Sequence, residues 1–250
     1  MKGLRASYFR RIHKGLRLDL ILTAAGPAAF LILASLLEKQ MSAAGVATAQ
    51  ITADTALSFP SIYSKLLSAY LVLRYCASAL CVMVIVSGLG EAEDCSPAFR
   101  QSRKWFVALM IMTAAAMVAR IASVLVHTAD LSETTDALYL VSEWILLVIR
   151  GIAISLLLRG NSDVLGSIGA ETEARRARSL ARQAMIWFPA VGFVRLADHY
   201  APPMSDAVSL IAFVLFAAVL IGHFVLCIRI AVHARNTAGM IAAISEEGAA

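Results

Sequence analysis

Four arginines lie inside stretches that otherwise have the composition of transmembrane helices: Arg74, Arg120, Arg150 and Arg195. A charged side chain near the centre of a bilayer costs about 2.5–3.5 kcal/mol on insertion scales, so it normally faces protein or a water-filled cavity. Guanidinium groups bind carboxylate and phosphate through paired hydrogen bonds. The arginines therefore predict a polar core that handles or gates a small polar, anionic species, as a transporter or channel does.

Other polar residues fall at helical spacing around these arginines. Glu143 and Arg150 are seven residues apart, so they share one helix face. Glu143 and Asp198 can each neutralise one arginine, which leaves two positive charges. The predicted polar core comprises seven residues on four helices: Arg74, Arg120, Glu143, Arg150, Arg195, Asp198 and His199.

Two alternatives explain the same charges without a transported solute. Ions inside a membrane normally pair with each other, so these residues could simply lock the helices together. They could equally pair with acidic groups of other membrane subunits, which makes the chain a non-catalytic subunit of a larger complex. Self-association is a further form of this alternative.

The histidines allow a third interpretation, a redox subunit that binds haem or quinone. Haem ligation by two histidines needs both on different helices at similar depth. His127 and His199 both fall near the outer ends of predicted helices, whereas His223 lies in the inner half of the last helix. These three residues are candidate contacts for a ligand or cofactor, although no cofactor and no metal belong to the main prediction.

Composition indicates a membrane protein of the all-α class. The chain has 250 residues, of which 60% are hydrophobic, and a mean hydropathy of +0.76, more than a soluble surface tolerates. Apolar stretches predict about six transmembrane helices in one bundle. They span approximately residues 20–37, 66–89, 105–126, 138–158, 184–197 and 208–232. No catalytic, nucleotide-binding or metal-binding motif is present, so the chain is not predicted to be an enzyme.

Basic residues predict the orientation. With the N-terminus inside the cell, the inner segments hold sixteen Lys and Arg residues and the outer segments hold two. The positive-inside rule then places both termini in the cytoplasm, with the helices in the plasma (inner) membrane. Because the basic residues flank apolar stretches, the net charge of +5 indicates contact with the lipid bilayer and not with nucleic acid.

The predicted domain boundaries follow this pattern: a cytoplasmic basic amphipathic segment (1–19), a membrane domain (20–232) and a cytoplasmic tail (233–250). In the first segment Tyr8, Ile12 and Leu16 recur at a spacing of four, which predicts a helix lying on the membrane surface. The sequence YLV recurs at 70–72 and 139–141. This offset aligns Asp94 with Asp163 and suggests three hairpin repeats, with chance similarity between apolar helices as the rival explanation.

Overall fold

The computed structural model describes residues 7–23, 53–125, 132–200 and 206–247, and every regular element in these ranges is a helix. This part of the chain contains no strand. We label the helices α1 (residues 7–23), α2 (Ala53–Ala92), α3 (Pro97–Leu125), α4 (Ser132–Ser167), α5 (Glu171–Tyr200) and α6 (Asp206–Glu247). The predicted all-α class is confirmed for these residues.

Four of the described helices contain a span that is long and apolar enough to cross a bilayer. The spans are Val72–Ala92, Pro97–Ala119, Leu140–Ser167 and Leu210–Ile244. α5 is outside this group because its first half is charged. Most of the predicted helix at 20–37 lies outside the described residues, so a total of six transmembrane helices stays a prediction. In length and composition these four helices are compatible with a multi-pass membrane protein.

The helices extend beyond the apolar stretches from which their ends were predicted. α3 begins at Pro97 and not near Trp105, and α4 ends at Ser167 and not near Leu158. α6 continues to Glu247, beyond the predicted end of the last helix near residue 232. The predicted ends were wrong because they followed hydropathy, whereas charged and polar residues such as Arg, Lys and Glu continue a helix readily.

Two tight turns join α2 to α3 and α4 to α5. In the first turn the Ser96 hydroxyl accepts a hydrogen bond of 3.1 Å from the Ala98 N–H, and Pro97 occupies the first helical position. The second turn contains Gly169 at φ +81°, a conformation that favours glycine. The proposed repeat aligns Asp94, in the first turn, with Asp163, inside α4. That offset therefore does not superimpose the two turns.

α1 packs directly on α2 through two glycines. A Cβ atom on Gly88 would lie 2.7 Å from Ile12 Cγ1 and 3.1 Å from the Ile12 N and Tyr8 O atoms. A Cβ atom on Gly15 would lie 3.0 Å from the Cys81 carbonyl oxygen. Small residues let two helix backbones approach this closely. The apolar face of α1 thus rests on α2, and this contact fixes the height of α1 in the bundle.

Replacing Gly88 by alanine is expected to lower the free energy of unfolding by about 1–3 kcal/mol, because the added methyl group overpacks the α1–α2 contact. Gly239 in α6 is the matched control, since a Cβ atom there would meet nothing within 4 Å. Alanine at Gly239 should stabilise by about 0.5–1 kcal/mol through helix propensity. Thermal unfolding of both variants in one detergent measures this, and equal shifts would contradict the close contact.

Candidate functional site

Arg150 lies at the centre of a buried hydrogen-bonded cluster that joins α1, α2 and α4. Its Nη2 atom donates to Asp19 Oδ1 at 3.1 Å and to the Ser78 hydroxyl at 2.7 Å. Its Nη1 atom donates to the Thr23 hydroxyl at 2.9 Å. Ser78 donates in turn to Asp19 Oδ1 at 3.1 Å. We call Asp19, Thr23, Ser78 and Arg150 the Arg150 cluster.

The ion pair in the Arg150 cluster is almost removed from solvent. The Asp19 side chain is fully buried, and 11% of the Arg150 side chain is exposed. Desolvation of two such charges opposes their attraction, so the pair is better evidence for a specific arrangement than for stability. Asp19 Oδ2 and Arg150 Nε have no hydrogen-bond partner among the described residues. Buried atoms of this kind commonly bind water or a ligand.

A cavity of about 30 Å³ lies against the Arg150 cluster, between α1, α2, α3 and α4. Since a water molecule needs at least about 10–15 Å³, this space holds a small number of water-sized groups. Its polar lining includes two guanidinium groups, one carboxylate and four hydroxyl groups. The polar residues are Thr23, Arg74, Tyr75, Ser78, Thr113, Glu143 and Arg150.

The two carboxylates at this cavity have different partners. Asp19 neutralises Arg150, whereas Glu143 accepts a hydrogen bond of 2.6 Å from the Tyr75 hydroxyl. Among the described residues Arg74 takes part in no hydrogen bond and no ion pair. Arg74 is therefore the cation of the lining whose hydrogen-bond donors are available to a solute.

The structure brings Arg74, Glu143 and Arg150 together around this one cavity. Within the described residues Glu143 forms no ion pair with Arg74 or Arg150, and Asp19 holds Arg150. Neutralisation of Arg120 or Arg195 by Glu143 stays a prediction, because those two side chains lie outside the described part. Four further members of the predicted core lie on α3 and α5, with side chains outside the described part of the structure: Arg120, Arg195, Asp198 and His199. Whether they reach the same cavity stays a prediction.

Of the three histidines named as candidate ligand or cofactor contacts, the structure describes the side chain of one, His223. His127 lies outside the described residues, and the side chain of His199 does too. His223 is buried in α6, with its ring 4.6 Å from the Phe188 ring and its Nε2 atom 3.6 Å from the Cys227 sulfur. The described residues contain no group of three His, Cys, Asp or Glu side chains that could hold a metal ion.

A second buried polar cluster lies at the end of the bundle near the two turns. His13 in α1 and Asn161 in α4 are buried, and none of their side-chain nitrogen and oxygen atoms has a hydrogen-bond partner within the described residues. Burial, followed by the charge of His233, lowers the pKa of His13 to about 3. His233 Nδ1 lies 3.3 Å from Glu173 Oε2. His13 is therefore a neutral imidazole at physiological pH.

Sequence reasoning missed Asp19 and Thr23, because the boundary at residue 19 placed Asp19 in a surface segment. The helical spacing of α1 could have predicted that these two residues face the bundle. Asp19 follows Ile12 by seven residues and Leu16 by three, and Thr23 follows Asp19 by four, so all four share the buried face of α1. An acidic residue on the apolar face of an amphipathic helix predicts a buried cation opposite it.

Comparison with known proteins adds no assignment: no protein-family model, no curated protein and no solved structure matches this chain.

Proposed function

We propose that this chain is a multi-pass membrane protein whose arginine-lined core handles or gates a small anionic solute. Arg74 carries the proposal, because this cation lines the cavity beside the Arg150 cluster and has no partner among the described residues. Cations inside membrane proteins normally mark a pathway or find a counter-ion. An anion in the cavity supplies that counter-ion.

The lining of the cavity favours an anion over a cation or a neutral solute. The guanidinium groups of Arg74 and Arg150 supply the hydrogen-bond donors of the lining, because the hydroxyl protons of Ser78 and Thr113 are already donated to Asp19 Oδ1 and to the Leu109 carbonyl oxygen. Guanidinium groups donate but cannot accept, so they match an acceptor such as a halide or an oxyanion. A volume of about 30 Å³ favours an anion of few atoms, such as chloride, nitrate or formate.

The Arg150 cluster supplies a gate for this proposal. Asp19 already occupies one side of the Arg150 guanidinium, as a carboxylate solute would. A solute that enters from the Arg74 side therefore competes with Asp19 for Arg150. Separation of Asp19 from Arg150 would shift α1 relative to α4 and open the cavity along α1.

The membrane topology is part of the proposal. Six transmembrane helices, with both termini in the cytoplasm and the bundle in the plasma membrane, are supported by the excess of basic residues in the inner segments. In this orientation the ends of the two hairpin turns, near Cys95 and Gly169, face the cytoplasm.

Anion flux from proteoliposomes tests the proposed function. Vesicles that contain the full chain are loaded with chloride, nitrate or formate, and efflux is followed with an ion-selective electrode or by light scattering. Arg74→Gln is expected to reduce flux of the favoured anion by about 10–100-fold, because a hydrogen bond to a charged group contributes about 1.5–3 kcal/mol.

Arg159→Gln is the matched control for this experiment. Arg159 is exposed on α4, so its loss removes one positive charge from the protein without changing the cavity. We expect Arg159→Gln to keep the parental flux. Flux of the parent chain no greater than that of empty vesicles, or equal flux from the parent and Arg74→Gln, would overturn the proposed function.

A further inference from the structure

The exposed side chains of α5 change from polar to apolar between Arg182 and Met185. On the N-terminal side of this level its exposed side chains are polar or charged, as in Arg175 and Arg182. On the other side they are apolar, with Ile186 67% and Phe193 61% exposed. Lipid tails favour the second kind of surface and water favours the first, so the edge of the hydrocarbon layer lies close to Arg182.

α6 shows the same change in the opposite chain direction. Its exposed side chains from Leu210 through Ile228 are apolar, and Arg229 and Arg235 are then exposed. The apolar span continues past this level, where Ile230 and Ala234 are buried in the bundle and Val232 is 49% exposed. The level is therefore placed at Arg229, the first exposed charged residue after the exposed apolar face from Leu210 to Ile228.

A direct contact shows that the two changes occur at one height. Arg229 Nη1 donates to Gln183 Oε1 at 3.2 Å, one residue after Arg182 in α5. A Cβ atom on Gly222 would meet the Trp187 ring at 2.5 Å, so α5 and α6 run in opposite directions here. Arg182 and Arg229 are thus exposed cations at the same level on neighbouring helices.

On α1 and α3, too, exposed basic residues are followed along the chain by an exposed apolar face. On α1 the exposed Lys14 and Arg17 are followed by Leu18 and Ile21, which are 45% and 49% exposed. On α3 the exposed Lys104 precedes a face with Ile111 and Met112. A basic level next to an apolar face is the pattern of a membrane–water interface.

We propose that Arg182 and Arg229 bind the phosphate of an anionic phospholipid headgroup. The two guanidinium groups supply positive charge and several donors to one phosphate. Ile186 lies one helical turn from Arg182, and Val225 lies one turn from Arg229, both toward the apolar side, where 67% and 47% of these residues are exposed. Together they form a surface for the acyl chains below the headgroup.

The apolar half of this site selects a lipid over free phosphate. Free phosphate would use the arginines alone, and water screens exposed charges strongly. A lipid adds burial of acyl-chain surface on Met185, Ile186, Val225 and Ile228, which are all exposed. Charge also selects among lipids, since a zwitterionic headgroup carries no net negative charge and gains less from two arginines.

Lipid retention in native mass spectrometry tests the site. The full chain is purified in mild detergent and equilibrated with phosphatidylglycerol, with phosphatidylcholine or with inorganic phosphate. The parent should retain phosphatidylglycerol in preference to the other two. Each arginine near the surface contributes roughly 1 kcal/mol to binding of an anionic lipid. The double variant Arg182→Gln/Arg229→Gln should therefore lose about 25-fold in phosphatidylglycerol affinity.

Arg175→Gln/Arg235→Gln is the matched control, because both residues are exposed on the same two helices but lie beyond the basic level. It should retain phosphatidylglycerol as the parent does, and the charge-keeping variant Arg182→Lys/Arg229→Lys should retain most of it. Equal loss in the control, unchanged retention in the Gln double variant, or equal retention of phosphatidylcholine by the parent would each overturn the site. If the Gln double variant does not fold, the comparison of the Lys variant, the control and the parent across lipids decides the question.

Discussion

Replacing Asp19 by alanine is expected to lower the free energy of unfolding by about 3–5 kcal/mol, the largest effect that the structure predicts for one substitution. The variant leaves Arg150 buried without its counter-ion, and Ser78 loses the acceptor of its hydrogen bond. An uncompensated buried charge costs far more than an intact pair contributes. Thermal or denaturant unfolding of the purified chain measures this loss.

Two comparisons separate the ion pair from a general effect of charge. Asp94→Ala removes an exposed carboxylate in the turn after α2 and should change stability by less than about 0.5 kcal/mol. Asp19→Ala/Arg150→Met removes both charges and should recover much of the loss, because no unpaired ion stays buried. A double variant as unstable as Asp19→Ala would contradict the pairing.

Acidification is expected to destabilise the chain through His13. Burial lowers the pKa of His13 to about 3, from an ordinary value of 6.5. Between these values the unfolded chain binds a proton at this position and the folded chain does not, so stability falls as pH falls below 6.5. Lowering the pH from about 7.5 to about 5.5 should remove about 1.4 kcal/mol through this residue.

His13→Leu isolates this contribution, since leucine has an apolar side chain of similar size and binds no proton. The groups near His13 include Asn161 and His233, and Glu173 faces His233, so part of the acid dependence belongs to those neighbours. The variant should lose less stability than the parent between the two pH values, by about the same 1.4 kcal/mol. Identical acid dependence in His13→Leu and the parent would show that His13 is not held neutral.

Sequence reasoning predicted the helices but misplaced their ends. Residues 53–65 lie between the helices predicted at 20–37 and 66–89, yet they belong to α2, and residues 97–104 begin α3. Hydropathy indicates which part of a helix contacts lipid, but it does not indicate where the backbone hydrogen bonds of the helix end. Capping residues are a better indicator of ends, as Ser96 before Pro97 shows.

Part of the candidate site could be predicted from the sequence, for a physical reason. A charge inside an apolar stretch is costly, so the sequence identifies Arg74, Glu143 and Arg150 as candidate site residues. The structure places all three around one cavity. Asp19 is not identified in this way, because it lies at the boundary between a basic and an apolar stretch. Only the packing of α1 on α2 shows that Asp19 lies at the height of Ser78.

Anomalous diffraction from crystals of the full chain grown with bromide shows whether an anion occupies the cavity beside Arg74. Bromide is a small anion that chloride-sized sites accept, and its signal shows its position without assumptions about transport. We expect a bromide peak in the cavity, in contact with Arg74, and its loss in Arg74→Gln. Bromide peaks on the protein surface with none in the cavity would contradict an anion-handling core.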